Sequence, residues 1–214
     1  MTSYRGLLAS DVDSTFLTQE VIELVADHAG VRSRVEDITT RAMRGELDFA
    51  ASLRERVSLL AGLDAGLLDE VAGKLQLRDG AREVVEAAHA AHWRIMLVSG
   101  GFTPIIAPLA ASLGIHEVVA NEFEVKDGLI TGKVSGRIVT GEVKAAAVAS
   151  AQQRYGIAPE RTIAMGDGAN DAAMMAHAAV RVGVLPKPAL RPHLTMEVGA
   201  SLRPVADLIA RLGH

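Results

Sequence analysis

Three short apolar runs divide the chain, Gly6–Ala9, Arg94–Val98 and Thr162–Met165. Each stops at acidic, serine or glycine residues: Asp11, then Ser99-Gly100-Gly101, then Gly166-Asp167-Gly168. After each stop the apolar positions move toward 3.6-residue spacing, so a buried strand followed by a helix is predicted three times. The helices expected in the sheet unit are Ala81–His92, Pro104–Leu113 and Glu142–Tyr155, with Gly114 and Gly156 at C-terminal cap positions and Pro104 in a first turn. Strands alternating with helices in this way predict an α/β fold, a doubly wound parallel-sheet (Rossmann-like) core.

Two stretches interrupt that alternation. From about residue 18 to 77 the pattern is helical throughout, with Thr18, Asp48 and Asp64 as N-cap candidates and Gly30, Gly45 and Gly62 as stops. In its first helix Val21, Leu24, Val25 and His28 repeat at helical spacing. A helical cap inserted after the first strand is expected, dividing the chain into a core (1–17 and 78–214) and a cap (18–77). Further on, Phe123–Lys126 and Leu129–Thr131 flank Asp127-Gly128, the signature of a two-residue β-hairpin.

Composition narrows the chemistry. Of 214 residues, 49% are apolar and 22% charged, enough to bury a core. The absence of cysteine excludes disulfides, thiolate metal sites and cysteine nucleophiles, and fits a reducing cytoplasm, the expected location. With 22 basic against 26 acidic residues the net charge is −4, and aromatic residues make up 3%. Neither favours nucleic acid as a partner. No apolar run is long enough to span a membrane or serve as a signal peptide, so no membrane partner is expected. Among seven histidines, His89 and His92 are three apart on one helix, but no third ligand follows at suitable spacing, and all seven read as structural or surface residues.

The carboxyl ends of parallel strands, where open α/β sheets bind ligands, carry Asp11-Val12-Asp13-Ser14-Thr15, Ser99-Gly100-Gly101 and Gly166-Asp167-Gly168-Ala169-Asn170-Asp171. If these strands are neighbours, Asp11, Asp13, Asp167 and Asp171 crowd one crevice. Two carboxylates 4 Å apart repel by about 4 kcal/mol at an effective dielectric near 20. A divalent cation relieves this, and oxygen ligands select Mg²⁺. Lys144, the Ser99 hydroxyl and backbone N–H groups near Gly100 supply phosphate donors, and the whole suggests phosphoryl transfer. Taken singly, Thr15 reads as a cap, Glu20 and Arg56 as a solvated helix face, and Met43 and Phe49 as core.

In order, Asp-x-Asp-Ser-Thr, Ser-Gly-Gly-Phe, a lone Lys and Gly-Asp-Gly-x-Asn-Asp resemble the haloacid-dehalogenase-type phosphohydrolases. Glu20, Met43, Gly45, Phe49 and Ser52–Val57 bring the resemblance closer to the phosphoserine phosphatases among them. The resemblance implies that Asp11 is the nucleophile of an aspartyl-phosphate mechanism and Asp13 its general acid and base. It implies Mg²⁺ on the Asp11 side chain, the Asp13 carbonyl and Asp167, with Thr15 and Asp171 in support. Ser99, Gly100 and Lys144 would hold the phosphoryl group, and Asn170 would lie beside the metal and the substrate. Glu20 would receive the substrate ammonium and Arg56 its carboxylate, with Met43 and Phe49 packed beside them. The implied activity is hydrolysis of O-phosphoserine, the last step of serine biosynthesis. A phosphotransferase, or a phosphatase for another small metabolite, is the alternative.

Two other classes fit less well. A dinucleotide binder would want a third glycine where Asp171 stands. A phosphate-accepting signalling domain would be poorly served by Asp13, which would speed loss of the phosphoryl group. Departures from the family pattern are Ser10 before the nucleophile, Phe16 after Thr15 and the stretch 191–201, which receives no function. Ser10 and Phe16 are expected to alter packing more than chemistry. No regulatory domain precedes the nucleophile in this sequence, so feedback by serine is not expected.

Overall fold

The protein is described from a computed structural model covering residues 4–43, 46–115 and 117–213, without the side chain of Met43. A seven-stranded sheet runs in the order β4-β3-β2-β1-β5-β6-β7. The strands are β1 (Gly6–Ser10), β2 (Trp93–Phe102), β3 (Glu117–Lys126), β4 (Leu129–Ser135), β5 (Thr162–Gly166), β6 (Val180–Val184) and β7 (Met196–Val198). All neighbours are parallel except β3 and β4, which form the hairpin. The chain builds outward from β1 through β2 and β3, then returns to place β5 on the other side of β1. The strand order therefore reverses beside β1, where a crevice opens at the carboxyl ends.

Alternation along β1 sorts the core into two layers. Leu8 faces one layer, built by α5 (Ala81–Ala90), α6 (Thr103–Ser112) and α9 (Arg203–Leu212). Leu7 and Ala9 face the other, where α7 (Gly141–Tyr155) and α8 (Ala172–Met175) contribute Val148, Ala151 and Met174. The α/β doubly wound reading is the observed fold. α5 ends at Ala90 rather than His92, because His92 turns into β2 with φ of 56°. Gly114 and Gly156 take the left-handed conformation expected of them.

One strand differs usefully from expectation. β2 does not end at Val98 but continues to Phe102, with a register shift between those residues. Ser99-Gly100-Gly101 thus lies in extended chain rather than in a loop. The buried amide of Asn121 on β3 accounts for this: its Nδ2 donates to the Gly100 carbonyl (2.8 Å), and its Oδ1 accepts from the Val139 N–H (2.8 Å).

Four helices lie between β1 and α5: α1 (Val21–His28), α2 (Arg32–Met43), α3 (Phe49–Ser58) and α4 (Leu67–Ala72). Asp48 caps α3 as expected, its Oδ1 accepting from the Ala51 N–H (2.7 Å). Thr18 does not cap α1. Glu20 occupies that position, and Thr18 is instead held by its N–H to the Gln76 carbonyl (3.1 Å), across the two linkers. Asp64 likewise stands two residues before the N-cap Gly66, whose N–H it accepts (2.7 Å). The buried stripe of α1 is Val21, Ile22, Val25 and Ala26, one position off the expected face, which leaves His28 exposed. The stop expected at Gly45, and His116 and His214, lie outside the described residues. The Asp127-Gly128 hairpin is present, both residues at positive φ (51° and 80°). Its second strand meets the helical insertion: Gly62 N–H bonds the Ile130 carbonyl, and Ile130 N–H bonds the Leu63 carbonyl, both 2.8 Å.

Candidate active site

Asp11 leaves β1 in extended conformation, its N–H held by the Met165 carbonyl of β5 (2.9 Å). The chain then makes one wide turn, Val12–Phe16, closed by the Leu17 N–H on the Val12 carbonyl (2.9 Å), with Ser14 at φ of 55°. Such a left-handed residue is costly without local compensation. Here the Ser14 hydroxyl donates to Glu20 Oε1 (2.6 Å) and its N–H to the Gln19 carbonyl (3.1 Å). The turn aims Asp13 back across the crevice. Its Oδ1 accepts from Val21 N–H at the start of α1 (2.6 Å), its Oδ2 from the Ser99 hydroxyl (2.9 Å). Burial pushes the Asp13 carboxyl above its ordinary range, against those two hydrogen bonds.

Behind Asp11 stands Lys144, fully buried near the start of α7. Its Nζ donates to Asp11 Oδ1 (2.5 Å) and Asp171 Oδ1 (2.8 Å). Burial works against the ammonium, yet the charges of Asp11 and Asp171 hold its pKa above the ordinary lysine value. Asp11 is pushed well upward by burial and by Asp171, with Lys144 opposing. Asp171 Oδ2 accepts the N–H groups of Asp167 and Gly168, both 3.2 Å, which shapes the loop after β5. Thr15 Oγ1 lies 3.4 Å from Asp11 Oδ2.

Carboxylate oxygens of Asp11, Asp167 and Asp171 lie within 4.8 Å of one another, all three buried. Of the four carboxylates expected to crowd the crevice, 11, 167 and 171 form this cluster. The Asp13 carboxylate instead meets α1 and Ser99. Both oxygens of Asp171 are already engaged by Lys144 and backbone N–H groups, which suits support rather than direct ligation. Five carboxylates (Asp11, Asp13, Glu20, Asp167, Asp171) face three cations (Lys144, Lys187, Arg56), a formal excess of two negative charges. Hard oxygen donors with that excess fit a divalent cation such as Mg²⁺.

A cavity of about 520 Å³ joins this crevice to the helical insertion, lined by Asp11, Asp13, Asp167 and Asn170 below and by Glu20, Phe49 and Arg56 above. Burial and the nearby Asp13 raise Glu20 to about 7, while its bond from Ser14 holds it back. Burial lowers the Arg56 guanidinium pKa, offset in part by Glu20 and Asp13. Gly100 and Gly101 also line the cavity. Ser99, Thr15, Lys144 and Asp171 stand just behind the lining, each bonded to a residue in it or to its neighbours. Met43 is the last residue of α2, and its side chain lies outside the described residues.

Residue-type reasoning missed three contributors. Lys187, on the turn after β6, lines the cavity and pairs its Nζ with Asp167 Oδ2 (2.9 Å), while its N–H bonds the Asp167 carbonyl (2.8 Å). Asn121 fixes the Gly100 and Gly101 carbonyls. Arg78 is buried against the turn after Asp11. The Lys-Pro pair at 187–188 was visible in the sequence. Nothing in the local sequence marked Asn121 or Arg78.

Comparison with known proteins identifies the family. The family model described as haloacid dehalogenase-like hydrolase matches residues 8–176. A phosphoserine phosphatase of Streptococcus thermophilus is 44% identical over 191 residues, covering 89% of each chain. Phosphoserine phosphatase SerB2 of Mycobacterium tuberculosis is 47% identical over 187 residues, 87% of this chain but 46% of that protein. A solved phospho-aspartyl intermediate analogue of a phosphoserine phosphatase superposes with a TM-score of 0.89 at 32% identity, covering 96% of this chain and 99% of that one. A substrate-bound phosphoserine phosphatase complex superposes with the same TM-score. The chain belongs to the haloacid dehalogenase-like hydrolases, in the branch that contains the phosphoserine phosphatases.

Proposed function

We propose that this chain is a Mg²⁺-dependent phosphatase that hydrolyses O-phosphoserine to serine and phosphate, the step that completes serine biosynthesis. One observation carries the reading. The carboxylates of Asp11 and Asp13 share a cavity with a further carboxylate and a guanidinium, Glu20 and Arg56. Phosphate, ammonium and carboxylate are the three charged groups of phosphoserine, and each has a counterpart there. A substrate without the last two would leave Glu20 and Arg56 unpaired in a closed site, which costs several kcal/mol.

The chemistry follows from the placement of these groups. An Asp11 carboxylate oxygen attacks phosphorus, and the bond to the serine oxygen breaks. Asp13, whose carboxyl burial raises above its ordinary range, gives a proton to that oxygen. Water then attacks the aspartyl phosphate. Asp13 takes a proton from that water, phosphate leaves, and the Asp11 carboxylate is restored. The Lys144 ammonium opposes the upward push that burial and Asp171 exert on the Asp11 carboxyl. Asp11, the Asp13 carbonyl and Asp167 would hold Mg²⁺, which neutralises charge on the phosphoryl oxygens and on the aspartates around it. Residues 18–77 would act as the cap that seats the substrate and excludes water, and residues 1–17 with 78–214 as the core that carries the chemistry.

The deciding assay is phosphate release from phosphoserine, from a sugar phosphate and from an aryl phosphate, each with Mg²⁺ or with chelator. Release strongest from phosphoserine and abolished by chelator supports the proposal. Release from sugar phosphates but not from phosphoserine overturns the substrate, and retained turnover in Asp11→Asn overturns the nucleophile. Transfer of the phosphoryl group from phosphoserine to an added alcohol instead of water would make it a phosphotransferase.

A further inference from the structure

We propose that Arg78 is a positioning residue for catalysis: placed where the helical insertion returns to the core, it holds the turn that carries Asp11 and Asp13 in its working shape. Its bonds fall on consecutive residues. Its N–H donates to the Phe16 carbonyl (3.0 Å) and its Nε to the Thr15 carbonyl (2.8 Å). Its Nη2 donates to the Ser14 carbonyl (2.6 Å) and reaches the Leu17 carbonyl at 3.4 Å. A single residue therefore contacts the carbonyls of residues 14, 15, 16 and 17.

The turn needs such a partner. Asp13 and Ser14 lie outside helical dihedrals, so the wide turn cannot satisfy its carbonyls by continuing as a helix. Arg78 itself is 7% exposed, and its guanidinium makes no ion pair among the described residues; the charge is spent on main-chain oxygens. A planar fork holds its donors in fixed directions, whereas an ammonium is a compact charge with rotatable donors on a flexible stem.

Its place in the chain gives the bonds a further meaning. Leu17 and Leu77 form an antiparallel bridge, so the two linkers of the helical insertion run side by side. Arg78 is the next residue after that bridge. It ties the outgoing linker to the turn in which Ser14 donates to Glu20 and Asp13 accepts from Val21 at the start of α1. Displacing Arg78 frees the Ser14 carbonyl at the one left-handed residue of the turn. Asp13 and the Thr15 contact to Asp11 would then lose their fixed geometry. Misplacing reacting groups by about 1 Å can cost about 100-fold in rate.

The test compares Arg78→Met, Arg78→Lys and Arg78→Ala with the parent on phosphoserine and on p-nitrophenyl phosphate, at temperatures well below each thermal midpoint. Both substrates would pass through Asp11 and Asp13, so Arg78→Met should lower kcat on both by the same factor, 10-fold or more, with KM changed less than 3-fold. Arg78→Lys should recover part of the loss, and millimolar guanidinium should restore Arg78→Ala where urea does not. A residue that merely stabilises the fold would move the midpoint and leave kcat of the folded protein alone. Turnover within 2-fold of the parent in Arg78→Met, a loss confined to KM, or no recovery with guanidinium overturns the proposal. Should Arg78→Met not fold, the same reading is made on Arg78→Lys, where unchanged kcat overturns it. The aryl phosphate arm is independent of whether phosphoserine is the substrate.

Discussion

The ring of Phe49, at the start of α3, rests directly on the backbone of Gly100 in β2: a Cβ at residue 100 would stand 2.8 Å from Phe49 Cζ. This is a contact between the helical insertion and the sheet, at the wall of the cavity. Gly100→Ala should therefore prop the two apart. kcat/KM on phosphoserine should fall about 10-fold or more, with the thermal midpoint moved by only a few degrees. Phe49→Ala in the Gly100→Ala background should recover part of the loss, as coupled neighbours do. Additive losses would separate the two residues functionally.

Lys144 is the hub of the buried charge. Lys144→Met leaves Asp11 and Asp171 facing each other without a cation. Removing one member of a buried ionic network costs about 3–5 kcal/mol. The cost is electrostatic, so pH sets it. Asp11 already sits well above the usual carboxylate range, through burial and Asp171. Without Lys144 it takes up a proton still more readily, and protonation removes the repulsion. Urea denaturation should show the deficit largest at pH 8 and shrinking toward pH 5. A deficit independent of pH would assign the effect to packing.

Mg²⁺ should stabilise the fold in proportion to its binding. At 100 times Kd a ligand of the native state adds about 2.7 kcal/mol. The thermal midpoint should rise with Mg²⁺ and return with chelator, and Asp167→Asn should remove most of that rise. The same rise in Asp167→Asn and the parent would take Asp167 out of the metal site.

Much of the site could be read in the chain because its chemistry sits on strand ends. Asp11, Asp13, Asp167 and Asp171 follow apolar runs, and a parallel sheet must bring such ends together. The fold was legible for the same reason, down to the hairpin, since few residue pairs other than Asp127-Gly128 accept two positive φ values cheaply. What escaped depends on partners distant in sequence. Arg78 acts on carbonyls 61 to 64 residues away, and Asn121 on carbonyls 20 and 21 residues away. Backbone acceptors have no residue type to search for. The N-cap expected at Thr18 failed on similar grounds. A cross-linker bond to Gln76 was available, and α1 starts three residues later with Asp13 accepting its first N–H.

Glu20 gives the sharpest dependence on pH. Its carboxyl sits at about 7, raised by burial and by Asp13. As receptor for a substrate ammonium it must be ionised, so kcat/KM for phosphoserine should fall as pH drops through about 7. The phosphate group's own second ionisation, near pH 6, weighs on every substrate. The ratio of kcat/KM for phosphoserine to that for p-nitrophenyl phosphate isolates Glu20, and this ratio should decline from pH 8 to pH 6. In Glu20→Gln the ratio should be low and flat. Stability runs in the opposite sense to recognition. A carboxyl with a raised native pKa contributes stability fully present below its unfolded value, about 4.5, and lost as pH rises through about 7. Glu20→Gln should therefore raise the thermal midpoint of the substrate-free protein more at pH 8 than at pH 5. A ratio in the parent that does not change between pH 6 and pH 8 would remove Glu20 from the recognition of the ammonium group.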